Sequence, residues 1–184
     1  MAATYDLLGS AVSDGTVPAL TVTGIDQTYD DLAIFVTAYS LGSTGSTTGI
    51  MRFNNSSATI YSMNSMLLID NANQNDTETS GATAYTVTSW PSDTSSTSNA
   101  WGYLQIDVPN YTKTNFPADK YSAMTVQYLN NRDSQTTDGA TGLVAWGLDL
   151  DAAITEVNWV GHYDGGNVNN GGSLKVYGII NSNS

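Results

Sequence analysis

Apolar residues fall at every second position in many short segments of this chain, as expected for β-strands, whose side chains point to alternate faces. Residues 31–40 show the pattern clearly: Leu32 and Ile34 lie on one predicted face, and Phe35 and Tyr39 lie on the other. The first face suits a protein core. The second face is too aromatic to be a simple wet surface, so we expect a second layer or another chain to cover it.

The same pattern predicts eleven short strands separated by clusters of Gly, Asn, Asp and Ser. The predicted strands are 4–12, 19–25, 31–40, 49–54, 66–70, 84–90, 101–108, 123–129, 142–150, 156–163 and 174–180. Such a series favours an all-β fold, an antiparallel, jelly-roll-like β-sandwich of about 8–11 strands. The closest helix candidate, 149–157, is interpreted as a turn because it spans only about two helical turns.

Two more predicted strands have an aromatic second face. Trp101 and Tyr103 lie opposite the apolar side of 101–108, and Tyr177 lies opposite the apolar side of 174–180. The aromatic residues predicted to lie in an oligomer or capsid interface are Phe35, Tyr39, Trp101, Tyr103 and Tyr177. Two alternatives remain open: these are ordinary surface aromatics, or a connection such as 71–100 folds over them within one chain.

The chain length of 184 residues is typical of one domain. We predict a single β-sandwich domain over 1–184, with a long polar excursion at about 71–100 that contains one short strand. The glycine-rich segment 163–173 has the composition of a turn, so we expect it to be a hairpin connection between the last two strands.

The charge balance narrows the choice of partners. The 17 acidic and 5 basic residues give a formal net charge of -12, which argues against nucleic acid and anionic membranes as partners. The absence of cysteine excludes disulfides and thiolate metal sites. Neither a secretory signal nor a long apolar span is visible, so we expect synthesis in the cytoplasm.

Catalytic and metal-binding chemistry finds little support. His162 and Asp164 share a predicted strand face, but no nucleophile motif accompanies them, and a structural histidine is the favoured interpretation. The acidic residues are mostly Asp in predicted turns, where Asp caps the backbone. Segments 149–153 and 163–170 offer oxygen ligands for calcium but follow no known calcium motif. We therefore predict no catalytic residue, no metal site and no cofactor. A structural calcium ion is the open alternative, and we do not expect it.

Four stretches together resemble a group of small virion proteins of tailed bacteriophages, a group that is common in environmental viruses. They are IDQTYDDLAIFVTAYS, MRFNNSSATIYS, WGYLQIDVPNYTKTNFPADKYSAM and ITEVNWVGHYDGGNVNNGGSLKVYGII. The resemblance extends over roughly residues 4–181. Val108 precedes Pro109 where the family pattern has Ile, a mild departure that keeps a β-branched residue before proline.

The resemblance implies a jelly-roll-like sandwich with a structural or adhesive role on the virion, usually as an oligomer, and no enzyme activity. Our first hypothesis is a capsid decoration (cement) protein that binds the outside of the head, stabilises it, and contacts the major capsid protein or another virion protein. We expect a homotrimer, because capsid junctions and fibre tips commonly present three-fold sites.

The alternative is a receptor-binding tip domain of a tail fibre or head fibre that recognises host surface carbohydrate. Such a domain would use tryptophan faces to stack on sugars, and Trp90, which precedes Pro91 at a strand end, is the candidate ligand contact. A fibre tip should carry a shaft or a particle-docking extension, and neither is visible in this sequence. This favours the decoration protein.

Overall fold

The computed structural model describes residues 4–39, 47–69, 73–90, 101–112, 124–130, 140–161 and 166–180. These residues contain twelve strands: β1 (Thr4–Val12), β2 (Ala19–Thr23), β3 (Asp31–Ala38), β4 (Thr47–Phe53), β5 (Tyr61–Ile69), β6 (Asn73–Ala82), β7 (Tyr85–Trp90), β8 (Gly102–Pro109), β9 (Met124–Asn130), β10 (Ala140–Leu148), β11 (Glu156–Val160) and β12 (Ser173–Ile180). For β9 and parts of β4 to β7 and β10, the backbone alone is described. The described segments contain no helix that could cross a membrane.

The strands form two antiparallel sheets. The large sheet has eight strands in the order β1-β12-β3-β8-β9-β10-β5-β6, and the small sheet has four in the order β2-β11-β4-β7. The chain crosses repeatedly between the sheets, and early strands lie beside late ones, as in a jelly roll. The β8–β9 pair is inserted between β3 and β10. The predicted all-β, antiparallel β-sandwich is confirmed.

Two local predictions need correction. We predicted one strand within 73–90, and the structure has two, because β6 pairs its backbone with β5 although its sequence is polar. The predicted hairpin between the last two strands is wrong: β11 belongs to the small sheet and β12 to the large sheet. The glycine-rich segment therefore connects the two layers. The interpretation of 149–157 is correct, since β11 starts at Glu156 and no helix precedes it there.

The core lies between the two sheets and contains the faces that alternation predicted. On β3 and β8 the inward side chains of Leu32, Ile34, Leu104 and Ile106 are all 0% exposed. The small sheet contributes its own set of fully buried side chains, Met51, Phe53, Val157 and Trp159. In the β3–β8 register Ile34 lies opposite Ile106, so the apolar rows of the neighbouring strands coincide. Burial of these rows is what stabilises the sandwich.

A cluster of three aromatic rings closes one part of the core. The Tyr85 ring lies 4.8 Å from Tyr61 and 6.0 Å from Phe53, both edge to face. The buried Tyr85 hydroxyl donates a hydrogen bond to the Gly147 carbonyl oxygen at 2.6 Å. Burial raises the pKa of Tyr85 above its ordinary value, and the nearby Tyr61 adds to the effect. The phenol is therefore held in its neutral form inside the core.

Candidate binding surface

The outer face of the large sheet brings three predicted interface residues together. Strand register places Phe35 of β3 opposite Lys175 of β12 and opposite Gln105 of β8. The Phe35 ring centroid lies 5.6 Å from Tyr177 and 6.3 Å from Tyr103. Aromatic rings at these distances stabilise one another, so the three side chains form one packed group on the outer face.

A depression of about 430 Å³ lies at this group. Four aromatic side chains form its walls: Tyr5, Phe35, Tyr103 and Tyr177. The remaining lining residues are polar: Thr37, Ser173 and Lys175. Aromatic walls with a few polar groups are typical of binding sites for small ligands.

Tyr39 and Trp101 form a second aromatic pair on the same face. Their ring centroids are 5.4 Å apart, edge to face, and Trp101 is 41% exposed. Buried Asn169 fixes the Tyr39 backbone, because its side-chain oxygen accepts a 2.7 Å hydrogen bond from the Tyr39 N–H. The Asn169 N–H in turn donates to the Tyr39 carbonyl oxygen at 3.0 Å. The glycine-rich connection thus positions the end of β3.

Strand β1 extends the surface toward the sheet edge. Tyr5 and Leu7 are each 56% exposed, and Val12 is 66% exposed. They pair with Ile179, Tyr177 and Ser173 of β12 respectively, which places all three on the outer face. A β-bulge between Leu7 and Gly9 preserves this arrangement, since alternation alone would turn Val12 to the other face. We call the group Tyr5, Leu7, Val12, Phe35, Tyr39, Trp101, Tyr103 and Tyr177 the outer aromatic surface.

Polar side chains line one border of this surface along β8. The Tyr103 hydroxyl lies 3.4 Å from Gln105 Oε1, and Gln105 Nε2 lies 3.4 Å from Asp107 Oδ1. Burial raises the pKa of Tyr103, and the negative charge of Asp107 raises it further. The hydroxyl therefore stays protonated and can donate a hydrogen bond at neutral pH.

Lys175 places a positive charge in the middle of the surface. Its neighbours on this face, across and along the strands, are uncharged: Ser10, Phe35, Ser173 and Tyr177. The described part of the chain gives its ammonium group no ion pair. In a chain of net charge -12, an exposed cation among aromatic rings is a marked local exception.

Three of the described aspartates accept hydrogen bonds from backbone N–H groups in turns and connections. Asp14 Oδ1 accepts hydrogen bonds from the N–H and hydroxyl of Thr16, and these bonds lower the pKa of Asp14. Asp26 accepts from the Thr28 N–H, and Asp31 from the Asn110 N–H. Within the described segments no three His, Cys, Asp or Glu side chains lie together as a metal site would require. His162 and Asp164 lie outside the described residues.

Sequence reasoning found some of these residues and missed others. Five predicted residues lie on the outer face as two aromatic groups, and Trp90 ends β7 with its side chain outside what the structure describes. Tyr5, Lys175 and Asn169 were missed as contributors. Lys175 alternates with Tyr177 in the sequence and could have been found, whereas Tyr5 depends on a strand pairing that no local pattern reveals.

No protein-family profile and no curated protein matches this chain. Among solved structures, three weak similarities are a binding domain of botulinum neurotoxin DC in complex with SialylT, the CBM40 domain of the Ruminococcus gnavus IT-sialidase bound to alpha2,3 sialyllactose, and the structure HCR/D-Sa-GBL1/C. Their identities to this chain are 10%, 8% and 10%, and the TM-scores are 0.29, 0.26 and 0.28.

The similarities cover 97%, 95% and 97% of this chain. The chain spans 42% and 43% of the first and third of these chains, less than half of their length, and 92% of the sialidase domain. TM-scores this low do not establish a shared fold.

Proposed function

We propose that this protein is a non-enzymatic structural protein of a bacteriophage particle that attaches to its partner through the outer aromatic surface. The observation that supports a docking role is the run of exposed or half-buried apolar side chains across four neighbouring strands, from β1 through β12 and β3 to β8. Exposed apolar surfaces of this kind mark sites of protein association. The virion assignment rests on the sequence resemblance.

The form of the surface favours a decoration protein. Four of its six aromatic residues lie in strands and the other two directly adjoin strand ends, so the sheet holds the surface in place before contact and little conformational entropy is lost on docking. Modest contacts repeated over a shell add up through multivalency. The net charge of -12 opposes binding to the negatively charged backbone of DNA. The proposed partners are other copies of this chain, as a homotrimer, and the major capsid protein or another virion protein.

Antibody labelling of the virions that carry this chain tests the assignment. Gold label distributed over the head is the expected result for a decoration protein. Label confined to the tail tip would contradict it. Virions assembled with a Phe35→Asp variant should carry much less label than wild-type virions. The variant places a charge in the outer aromatic surface, and a buried unpaired carboxylate opposes docking.

Host carbohydrate recognition is the second candidate function, and the depression at Phe35 favours it. Its volume of about 430 Å³ lies in the range of small-ligand sites, about 300 to 1,000 Å³. A sugar bound there and a capsid protein docked there exclude each other, because both would cover Tyr103 and Tyr177. The two candidates can therefore be separated by experiment.

A further inference from the structure

We infer that the depression at Phe35 and Lys175 is a site for a pyranose sugar that carries a carboxylate, such as a uronic acid. The inference rests on the second candidate function, carbohydrate recognition, and specifies its ligand class. Lys175 would bind the carboxylate, and the aromatic walls would contact the sugar ring.

The charge of the site selects an anion. Lys175 is an exposed lining residue of a depression whose other lining residues are neutral: Tyr5, Phe35, Thr37, Tyr103, Ser173 and Tyr177. None of these lining residues carries a negative charge, so none of them forms an ion pair with the ammonium group. A carboxylate would accept charge-assisted hydrogen bonds from it, which are stronger than those between neutral groups. The chain as a whole carries a net charge of -12, so its overall electrostatic field does not attract anions. The attraction for an anionic ligand must therefore come from Lys175 itself.

The walls select a ring. Tyr177 stands at 85° to Phe35, and Tyr103 is tilted by 42° to it, so the three rings form a fixed, angular set of apolar surfaces. The C–H face of a pyranose is apolar and packs on such aromatic surfaces, while its hydroxyls point away toward polar partners. A small carboxylate would touch Lys175 and leave the rings uncovered.

The polar rim fits the hydroxyls of a sugar. Thr37 and Ser173 are paired across β3 and β12, and Tyr103 lies opposite Thr37 on β8, so three hydroxyl-bearing residues form one row beside Lys175. Hydroxyl groups both donate and accept, as sugar hydroxyls require. The side chain of an acidic peptide would bind Lys175 but leave this row of hydroxyl groups without ligand partners, which is why we favour a sugar over a peptide.

A matched pair of probes separates charge from ring. Glucuronate and glucose share the pyranose ring and differ in a carboxylate, and acetate supplies a carboxylate without a ring. We expect chemical-shift titration of the purified protein to give glucuronate an affinity about 3- to 10-fold higher than glucose, because exposed ion pairs contribute modestly. Acetate should bind more weakly than either sugar. The advantage of glucuronate should shrink as salt is added.

Three variants locate the effect. Lys175→Met should abolish the difference in affinity between glucuronate and glucose, and Lys175→Arg should retain that difference. Ser80→Asp is the control for net charge, since it also makes the chain one unit more negative, and Ser80 is exposed in β6 at the opposite edge of the large sheet. It should behave as the wild type.

Each other outcome has a defined meaning. Equal binding of glucuronate and glucose overturns the inference but leaves carbohydrate recognition standing. Acetate binding as tightly as glucuronate, or a short Asp-rich peptide binding more tightly, shows a simple anion site or a peptide site and also overturns it. If the folded wild type binds no sugar at millimolar concentration, both the inference and the second candidate function fail.

Discussion

The two faces of strand β3 differ in what holds their side chains in place. Inward-facing Leu32 and Ile34 are fully buried, and the opposite sheet fixes them. Outward-facing Phe35 is only partly buried, and what fixes it is two aromatic neighbours on adjacent strands, Tyr103 and Tyr177. The inner face is ordered because folding buries it in the core between the two sheets. The outer face is ordered before any partner arrives, which suits a surface that binds.

The largest effect should come from the inner face. Leu104→Ala removes a fully buried side chain next to Val36 across the β3–β8 pair, so it should lower the free energy of unfolding by about 2–5 kcal/mol. Gln105→Ala, on the outer face of the same strand, should cost less than about 1 kcal/mol. Chemical denaturation measures both. If Gln105→Ala is the more damaging change, the strand faces are assigned the wrong way round.

Alkaline pH should sharpen the contrast between buried and exposed phenols. The pKa of Tyr85 is raised in the folded state, so above the ordinary value of 10.0 the unfolded chain loses this proton first and stability falls as pH rises. The slope contributed by Tyr85 can reach about 1.4 kcal/mol per pH unit. Below that pH the contribution is fully present. Denaturation series across the alkaline range measure the slope.

The Tyr85→Phe variant should have a shallower alkaline slope than the wild type. At neutral pH it should be about 0.5–1.5 kcal/mol less stable, because the hydrogen bond to Gly147 is lost. Tyr5→Phe, which removes an exposed phenol of the outer aromatic surface, is the matched control. An unchanged slope in Tyr85→Phe would mean that another group causes the alkaline loss.

Features of the fold that follow from local alternation of side chains were predicted from the sequence. Features that depend on which strands pair were missed. Alternation in 31–40 and 101–108 gave the buried faces correctly, because period-two burial needs no knowledge of the neighbour. Polar β6 was missed because its pairing with β5 uses backbone hydrogen bonds, which leave no apolar pattern. The layer change between β11 and β12 was missed because glycine-rich composition indicates a turn but not its destination.

The outer aromatic surface was predictable in part for the same reason. Phe35, Tyr103 and Tyr177 could be assigned to outward faces from alternation alone, yet their meeting at one place requires the order β12-β3-β8. That order joins β12, the last of the described strands, to β3 and β8. Tyr5 joins the group through the pairing of the first and last strands. Such non-local pairings are beyond pattern reasoning.

A smaller effect on stability is expected at the edge of the outer surface. Tyr5→Ser removes a side chain that is 56% exposed, so the free energy of unfolding should change by less than about 0.5 kcal/mol. Self-association should nevertheless weaken, since apolar area is lost from the docking surface. Denaturation and sedimentation measure the two quantities. A large loss of stability without any change in association would show that Tyr5 serves the fold.

Light scattering of the wild type and Tyr39→Asp tests most directly whether the outer aromatic surface binds other copies. The account predicts a wild-type mass of three 19.5 kDa chains and a monomeric variant with an unchanged β-sheet spectrum, because Asn169 holds the Tyr39 backbone independently of the ring. A wild type that is monomeric at micromolar concentration and does not assemble on heads would contradict it. So would a Tyr39→Asp variant that unfolds, which would place the ring in the fold rather than the interface.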